Sequence, residues 1–201
     1  MKVARTFELI PSNFKFAGGS VLNYLNAAIP RIKTDLKKFR FFFCDERFVP
    51  EADADSTYGA YKSKLIPSCG LSESQFFAIN LNLSLAESAR DYEQRMLKHF
   101  ALAAGDLPSF DVLLLGMGPD GHTCSLFPQH RLLQETQKLI ADIDDSPKPP
   151  PQRLTMTFPL INNAQCCIFA MCGAGKAEMV KVFVFDYIPC NFRTDYDICI
   201  S

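Results

Sequence analysis

FDVLLLGMGPDGHTCSLFP, from Phe110 to Pro128, is the segment on which the reading of the chain turns. Its first part, Asp111 to Leu115 (DVLLL), is a short and almost continuous apolar run. Runs of that length suit a strand buried on both faces of a sheet. Gly116, Gly118, Pro119 and Gly121 then force a tight loop that carries Asp120 and His122. In sheets of parallel strands, ligands gather where strands give way to loops at their carboxyl ends.

The same transition recurs outward from this segment. Phe39 to Cys44 (FRFFFC) reads as a buried strand ending in Asp45-Glu46-Arg47. Cys166 to Cys172 is a third apolar strand, leading through Gly173-Ala174-Gly175 into a helix that starts near Lys176. Gln75 to Ile79, Lys138 to Ile143 and Arg153 to Thr157 are weaker strand signals. Ser146 to Pro151 (SPKPPP) is a surface loop, because proline cannot join a sheet interior.

Helices fall between the strands. Ser56 caps one running to Leu65, and Ser84 to Ala104 forms the clearest one, with Leu85, Ala89, Tyr92, Met96, Leu97 and Phe100 at helical spacing and Gly105 as its stop. Strands alternating with amphipathic helices predict an α/β fold, a mainly parallel sheet with helices on both faces.

Composition narrows the partners. With 201 residues and 48% apolar content the chain can bury a core of its own. A formal net charge of −1 provides no field to draw it to nucleic acid or to an anionic membrane. No apolar run approaches the roughly 20 residues that span a bilayer, and the start from Met1 to Thr6 lacks a secretory pattern. The eight cysteines show no CxxC pairs, which predicts reduced thiols, no metal site and a cytoplasmic protein.

Four strand-end segments carry candidate chemistry: Ala17-Gly18-Gly19-Ser20, Asp45-Glu46-Arg47, Gly118 to Thr123, and Gly173 to Lys176. A Gly-Gly-Ser is as often a plain turn and helix cap as a phosphate cradle. Gly-x-Gly-Lys lacks the full nucleotide-binding spacing, so a nucleotide triphosphatase is disfavoured. Arg47 presents a planar fork suited to phosphate, and Asp45 or Glu46 suits sugar hydroxyls, unless the triplet is only a solvated patch. Lone histidines are usually structural; a rigid loop, a strand end and a neighbouring Asp favour His122 as a general base. His99 and His130 lack that setting, and Cys124 is set aside as a nucleophile.

Taken in this order the segments resemble the 6-phosphogluconolactonase family. The likeness rests on CDERFVP (Cys44 to Pro50) with DSTYGAYKSKLIP (Asp55 to Pro67), and on Phe110 to Pro128. It continues in DSPKPPPQRLTMTFPLIN (Asp145 to Asn162) and GAGKAEMVK (Gly173 to Lys181). The resemblance implies a Rossmann-like fold, hydrolysis of 6-phospho-D-glucono-1,5-lactone, and neither metal nor organic cofactor. It places phosphorylated-sugar binding at Gly18, Gly19, Ser20, Asp45, Arg47, Gly118 and Lys176, and catalysis at His122 with Asp120. A monomer is expected. The related glucosamine-6-phosphate deaminases carry a Tyr where Arg47 stands and Ile-Ala-Phe-Asn after the histidine, where this chain has Thr123 to Leu126.

Two departures from the family pattern set further expectations. The strand and helix that normally precede the Gly-Gly-Ser turn are expected to be lacking, and Ala17 replaces a serine. Residues 1–181 are expected to form one domain, and 182–201 a divergent tail. Rival readings are an inactive or sugar-phosphate-binding truncated form, and a deaminase-like isomerase of the same fold.

Overall fold

The computed structural model describes residues 13–16, 20–102, 106–171, 173–182 and 197–200. Its elements in chain order are β1 (Asn13–Phe16), α1 (Ser20–Ala28), β2 (Arg40–Phe43), β3 (Asp45–Arg47), α2 (Thr57–Ala60), α3 (Ile66–Cys69) and β4 (Phe76–Phe77). There follow α4 (Leu85–His99), β5 (Val112–Gly116), β6 (Ile140–Ile143), β7 (Arg153–Met156), α5 (Phe158–Ile161), β8 (Cys167–Met171), α6 (Ala177–Val182) and β9 (Asp197–Ile200).

The main sheet has the order β4-β2-β1-β5-β8-β9, and every pairing in it is parallel. Successive side chains of a strand point to opposite faces, and that alternation divides the core. Phe42, Leu113, Leu115, Cys167, Phe169 and Met171 lie in one cluster with Ala89, Tyr92 and Met96 of α4. Phe41 and Phe43 lie in the other with Val21, Leu22 and Leu25 of α1 and with Tyr61, Leu65 and Ile66. Helices therefore cover both faces, in the Rossmann-like α/β arrangement expected.

Several elements differ from the sequence reading. The chain before Gly18 was expected to lack a strand; β1 is present there and sits between β2 and β5. The expected tail contains β9, which pairs with β8. The strands near 140 and 155 form no part of the main sheet; with β3 they make a separate antiparallel sheet, β3-β7-β6. The reason is length: Asp144 to Gln152 is shorter than the dozen or more residues a parallel crossover needs. The long helix ends at His99, where Ala101 turns left-handed at φ 52°, so the expected stop at Gly105 lies outside the described residues. Its start is as predicted: the Ser84 hydroxyl accepts from Glu87 N–H, and the Glu87 carboxylate accepts from Ser84 N–H.

Side chains from α4 tie the two sheets together. Tyr92 accepts from Phe43 N–H at 2.7 Å, at the end of β2. One Glu93 oxygen accepts from both Leu139 and Ile140 N–H at the start of β6. Among the described residues no helix is long and apolar enough to cross a membrane.

Glu46, on β3, anchors the helical segment that follows. Its carboxylate accepts from the N–H groups of Arg47, Thr57 and Tyr58, the last two at the first turn of α2. Burial pushes this carboxyl up to about 7, against the pull of those three donors. The folded protein thus holds a proton that the unfolded chain releases from about 4.5 upward, so this group costs stability as pH rises from about 4.5 to about 7. The expected loss is on the order of 3 kcal/mol. Urea midpoints measured across that window should fall for the native chain and stay nearly level for Glu46→Gln; equal slopes would refute the buried proton.

Candidate active site

The order of the main sheet sets where a site can form. From β1 the chain moves to β2 and β4 on one side, then to β5, β8 and β9 on the other. Strand order reverses between β1 and β5, which opens a crevice at their carboxyl ends. Because the strands are parallel, the segments following β1, β2, β5 and β8 all leave from this one rim.

The loop after β5 is rigid by construction. Gly118 N–H donates to His122 O at 2.8 Å, and Gly121 N–H donates to Gly118 O at 3.0 Å. Gly121 adopts φ +87°, a conformation that side-chain-bearing residues rarely take. The Thr123 hydroxyl closes back on Gly116 O at 2.8 Å. A Cβ placed on Gly118 would fall 2.2 Å from His122 Nδ1 and 2.5 Å from Asp120 Oδ1. Gly118 therefore leaves room for the His122 and Asp120 side chains. Its own N–H is consumed in the turn, as is that of Gly121, so neither amide is left over to donate elsewhere.

His122 Nδ1 lies 2.6 Å from Asp120 Oδ1, and Lys148 Nζ lies 2.8 Å from Asp120 Oδ2. Lys148 Nζ is also 3.3 Å from His122 Nδ1. The shorter contact and the opposite charge assign the Nδ1 proton to the bond with Asp120, which leaves the lone pair on Nε2. Burial alone would raise the Asp120 carboxyl; hydrogen bonds from Lys148 and His122 outweigh it and hold the group at about 2. Asp120 is thus a carboxylate at neutral pH. The His122 ring stacks on Phe127 with centroids 4.6 Å apart and an interplanar angle of 29°, and Phe127 is fully buried.

Lys148 and Phe127 were not singled out from the sequence. Phe127 follows a recognisable loop and was within reach. Lys148 lies in the proline-rich stretch, whose composition says only that it is a loop.

The remaining predicted residues divide clearly. Asp45 was expected at the rim as a sugar contact; it is buried and accepts from the Ser125 hydroxyl at 3.0 Å. It faces inward because the chain does not end its strand at Cys44 but passes into β3, where Asp45 pairs with Thr155. Arg47, next along, is half-buried: one terminal nitrogen donates to Asp55 O, while Nε is buried with no hydrogen-bond partner among the described residues. A buried donor without an acceptor is a group waiting for one. Lys176 closes the first turn after β8. The helix that follows meets the catalytic loop, since Met179 Sδ lies 3.1 Å from where a Gly121 Cβ would sit. Ser20 opens α1, whereas Gly18 and Gly19 lie outside the described residues.

The rejected candidates stay rejected on physical grounds. Cys124 is buried, and its hydrogen bond with Cys44 and its burial push the thiol well up, away from the nucleophilic thiolate. His130 accepts from Leu132 N–H with one nitrogen and meets Asp145 with the other, so both are committed to a turn. Among the described residues no group of His, Cys, Asp and Glu could hold a metal ion.

Comparison with known proteins places the chain in a family. A family profile described as glucosamine-6-phosphate isomerases/6-phosphogluconolactonase matches residues 11–191. The chain is 46% identical over 176 residues to the 6-phosphogluconolactonase of Homo sapiens, covering 85% of this chain and 67% of that protein. It is 47% identical over 184 residues to a probable 6-phosphogluconolactonase of Drosophila melanogaster, covering 88% and 73%. In fold it is similar to 6-phosphogluconolactonase of Thermotoga maritima, with a TM-score of 0.79 at 22% identity over 94% of this chain and 84% of that one. The enzyme of Leishmania guyanensis gives 0.78 at 22% identity over 98% and 86%. With the profile spanning residues 11–191 and the curated relatives this similar, the chain belongs to the glucosamine-6-phosphate isomerase/6-phosphogluconolactonase family.

Proposed function

We propose that this chain hydrolyses 6-phospho-D-glucono-1,5-lactone to 6-phospho-D-gluconate, the second step of the oxidative pentose phosphate pathway. The observation that carries the reading is the commitment of His122 Nδ1 to Asp120 at 2.6 Å, which makes Nε2 a general base at the rim of the sheet. An ester carbonyl needs an activated water and a stabilised oxyanion, and a neutral imidazole with a charged carboxylate behind it meets the first need.

In this mechanism Nε2 takes a proton from water as the water oxygen attacks the lactone carbonyl. Asp120 steadies the imidazolium that forms. The tetrahedral intermediate then collapses, the ring C–O bond breaks, and the same proton passes from Nε2 to the departing ring oxygen. Arg47, with its unpartnered Nε, is the donor left for the oxyanion or the phosphate once Gly118 and Gly121 are discounted. Lys176 and the Gly18-Gly19-Ser20 segment hold the phosphate, so that binding far from the carbonyl positions the reacting atoms. The reading calls for a monomer acting on a small phosphorylated sugar in the cytoplasm.

Purified protein offered the lactone should release acid, and offered glucosamine 6-phosphate should release no ammonia; the reverse pattern would move it to the isomerase branch. Replacing His122 by Ala should lower kcat about 100-fold or more, with an unchanged melting temperature as the control. In Lys176→Ala the loss should appear as a raised KM with little change in kcat. Gly118→Ala drives a methyl group into the imidazole, so it should abolish turnover while far-ultraviolet circular dichroism still reports a folded sheet.

A further inference from the structure

The proposed reaction makes no use of three buried polar side chains, those of Asp45, Ser125 and Arg153. Arg153 is the most demanding, since only 2% of it is exposed and a guanidinium taken out of water costs several kcal/mol unless it is bonded and balanced. Among the described residues it forms no direct ion pair with a carboxylate. Instead Nε donates to Pro150 O at 2.9 Å, and Nη2 donates to Lys148 O at 2.9 Å and to Pro149 O at 3.0 Å. Nη1 donates to the Ser125 hydroxyl at 3.4 Å, and that hydroxyl donates onward to Asp45. The serine thus accepts from one side and donates to the other, linking the buried cation to the buried anion.

The loop has a physical need for these donors. Pro147, Pro149, Pro150 and Pro151 have no N–H, so the segment is rich in carbonyls and poor in groups to bond them. A planar guanidinium reaches three successive carbonyls at once; an ammonium is a single point. Within the loop so gathered, Lys148 is the residue whose side chain reaches the catalytic pair. Phe127 is the shared floor, with His122 stacked on its ring and the charges of Arg153 and Lys148 5.6 and 6.0 Å from its centroid.

We propose that Asp45, Ser125 and Arg153 are positioning residues that set the Ser146–Pro151 loop so that Lys148 stays on Asp120 and off Nδ1, which preserves the Nδ1-protonated tautomer of His122. Two arrangements compete at Nδ1. With Lys148 on Asp120 Oδ2, the carboxylate stays charged and takes the Nδ1 proton, leaving Nε2 as base. With Lys148 shifted onto Nδ1, the lone pair turns toward the ammonium and the proton moves to Nε2, where no base remains. The contacts of 2.8 and 3.3 Å show how small a slip of the loop separates the two. The consequence for turnover rests on the lactonase reading; the tautomer does not.

The test is the imidazole of residue 122 in protein labelled with 15N-histidine, read from two-bond proton–nitrogen spectra above neutral pH. The native chain should show the Nδ1-protonated form. Arg153→Met, which frees Lys148 to slip onto Nδ1, should move the population toward the Nε2-protonated form. Lys148→Met, a change at a half-exposed side chain that removes the competing ammonium, should keep the Nδ1-protonated form, and the double variant should return to it. With the lactone, Arg153→Met should lose about tenfold in kcat with KM within about twofold, and adding Lys148→Met to that background should regain most of the loss. Arg153→Lys, a single point charge in place of the planar fork, should behave as Arg153→Met does. If Arg153→Met fails to fold, Asp45→Asn reads the same tautomer. An unchanged tautomer in folded Arg153→Met overturns the proposal, and so does a shift that persists in the double variant or a raised KM at full kcat in Lys148→Met, which would make Lys148 a phosphate contact. A native chain that releases no acid from the lactone defeats the lactonase reading alone, because the spectra still decide the positioning.

Discussion

The parallel pairing of β1 between β2 and β5 is the constraint from which the rest follows. It brings the segments after three neighbouring strands out at one rim, and it makes the strand order reverse there. A sheet so placed must be buried on both faces, and the alternation of Phe41 and Phe43 with Phe42 answers that need. Register is held firmly as a result, since a slip of one residue would exchange the two faces of every side chain in β2.

At the rim, the chemistry depends on what has been left out as much as on what is present. Gly118 lacks a side chain because the imidazole and the Asp120 carboxylate occupy the place where one would be. The prolines around Lys148 lack N–H groups, and a guanidinium from β7 provides the donors instead. The lysine and carboxylate next to His122 cancel in charge while each restricts the other's geometry. The result is an imidazole whose surroundings are fixed by packing on Phe127, by a turn and by the contacts with Asp120 and Lys148.

The fold was legible where a strand is an unbroken apolar run. DVLLL and FRFFFC announce buried strands, and the spacing of Leu85, Ala89, Tyr92 and Met96 announces the helix that covers them. Boundaries were less legible, as α4 shows by ending on a left-handed Ala101 that no propensity marks. Asp45 was misplaced for an instructive reason. A charged triplet after an apolar strand looks like an exit into solvent, but here the chain crosses directly into a second sheet and carries a carboxylate inward. Only the partner strand β7 reveals this.

Taken alone, the sequence determined the α/β class, the strand ends that could bear chemistry, and the loop that carries Asp120 and His122, because these are local patterns of apolar period, glycine and proline. The tertiary structure alone decided which nitrogen of His122 faces Asp120, that Gly118 gives space rather than a donor, and that Lys148 lies against that pair while Arg153 gathers the loop that carries it. Those facts depend on contacts between segments far apart in the chain, such as Lys148 with His122 and Ser125 with Asp45. Residue order encodes such contacts only through the whole packed arrangement of the two sheets.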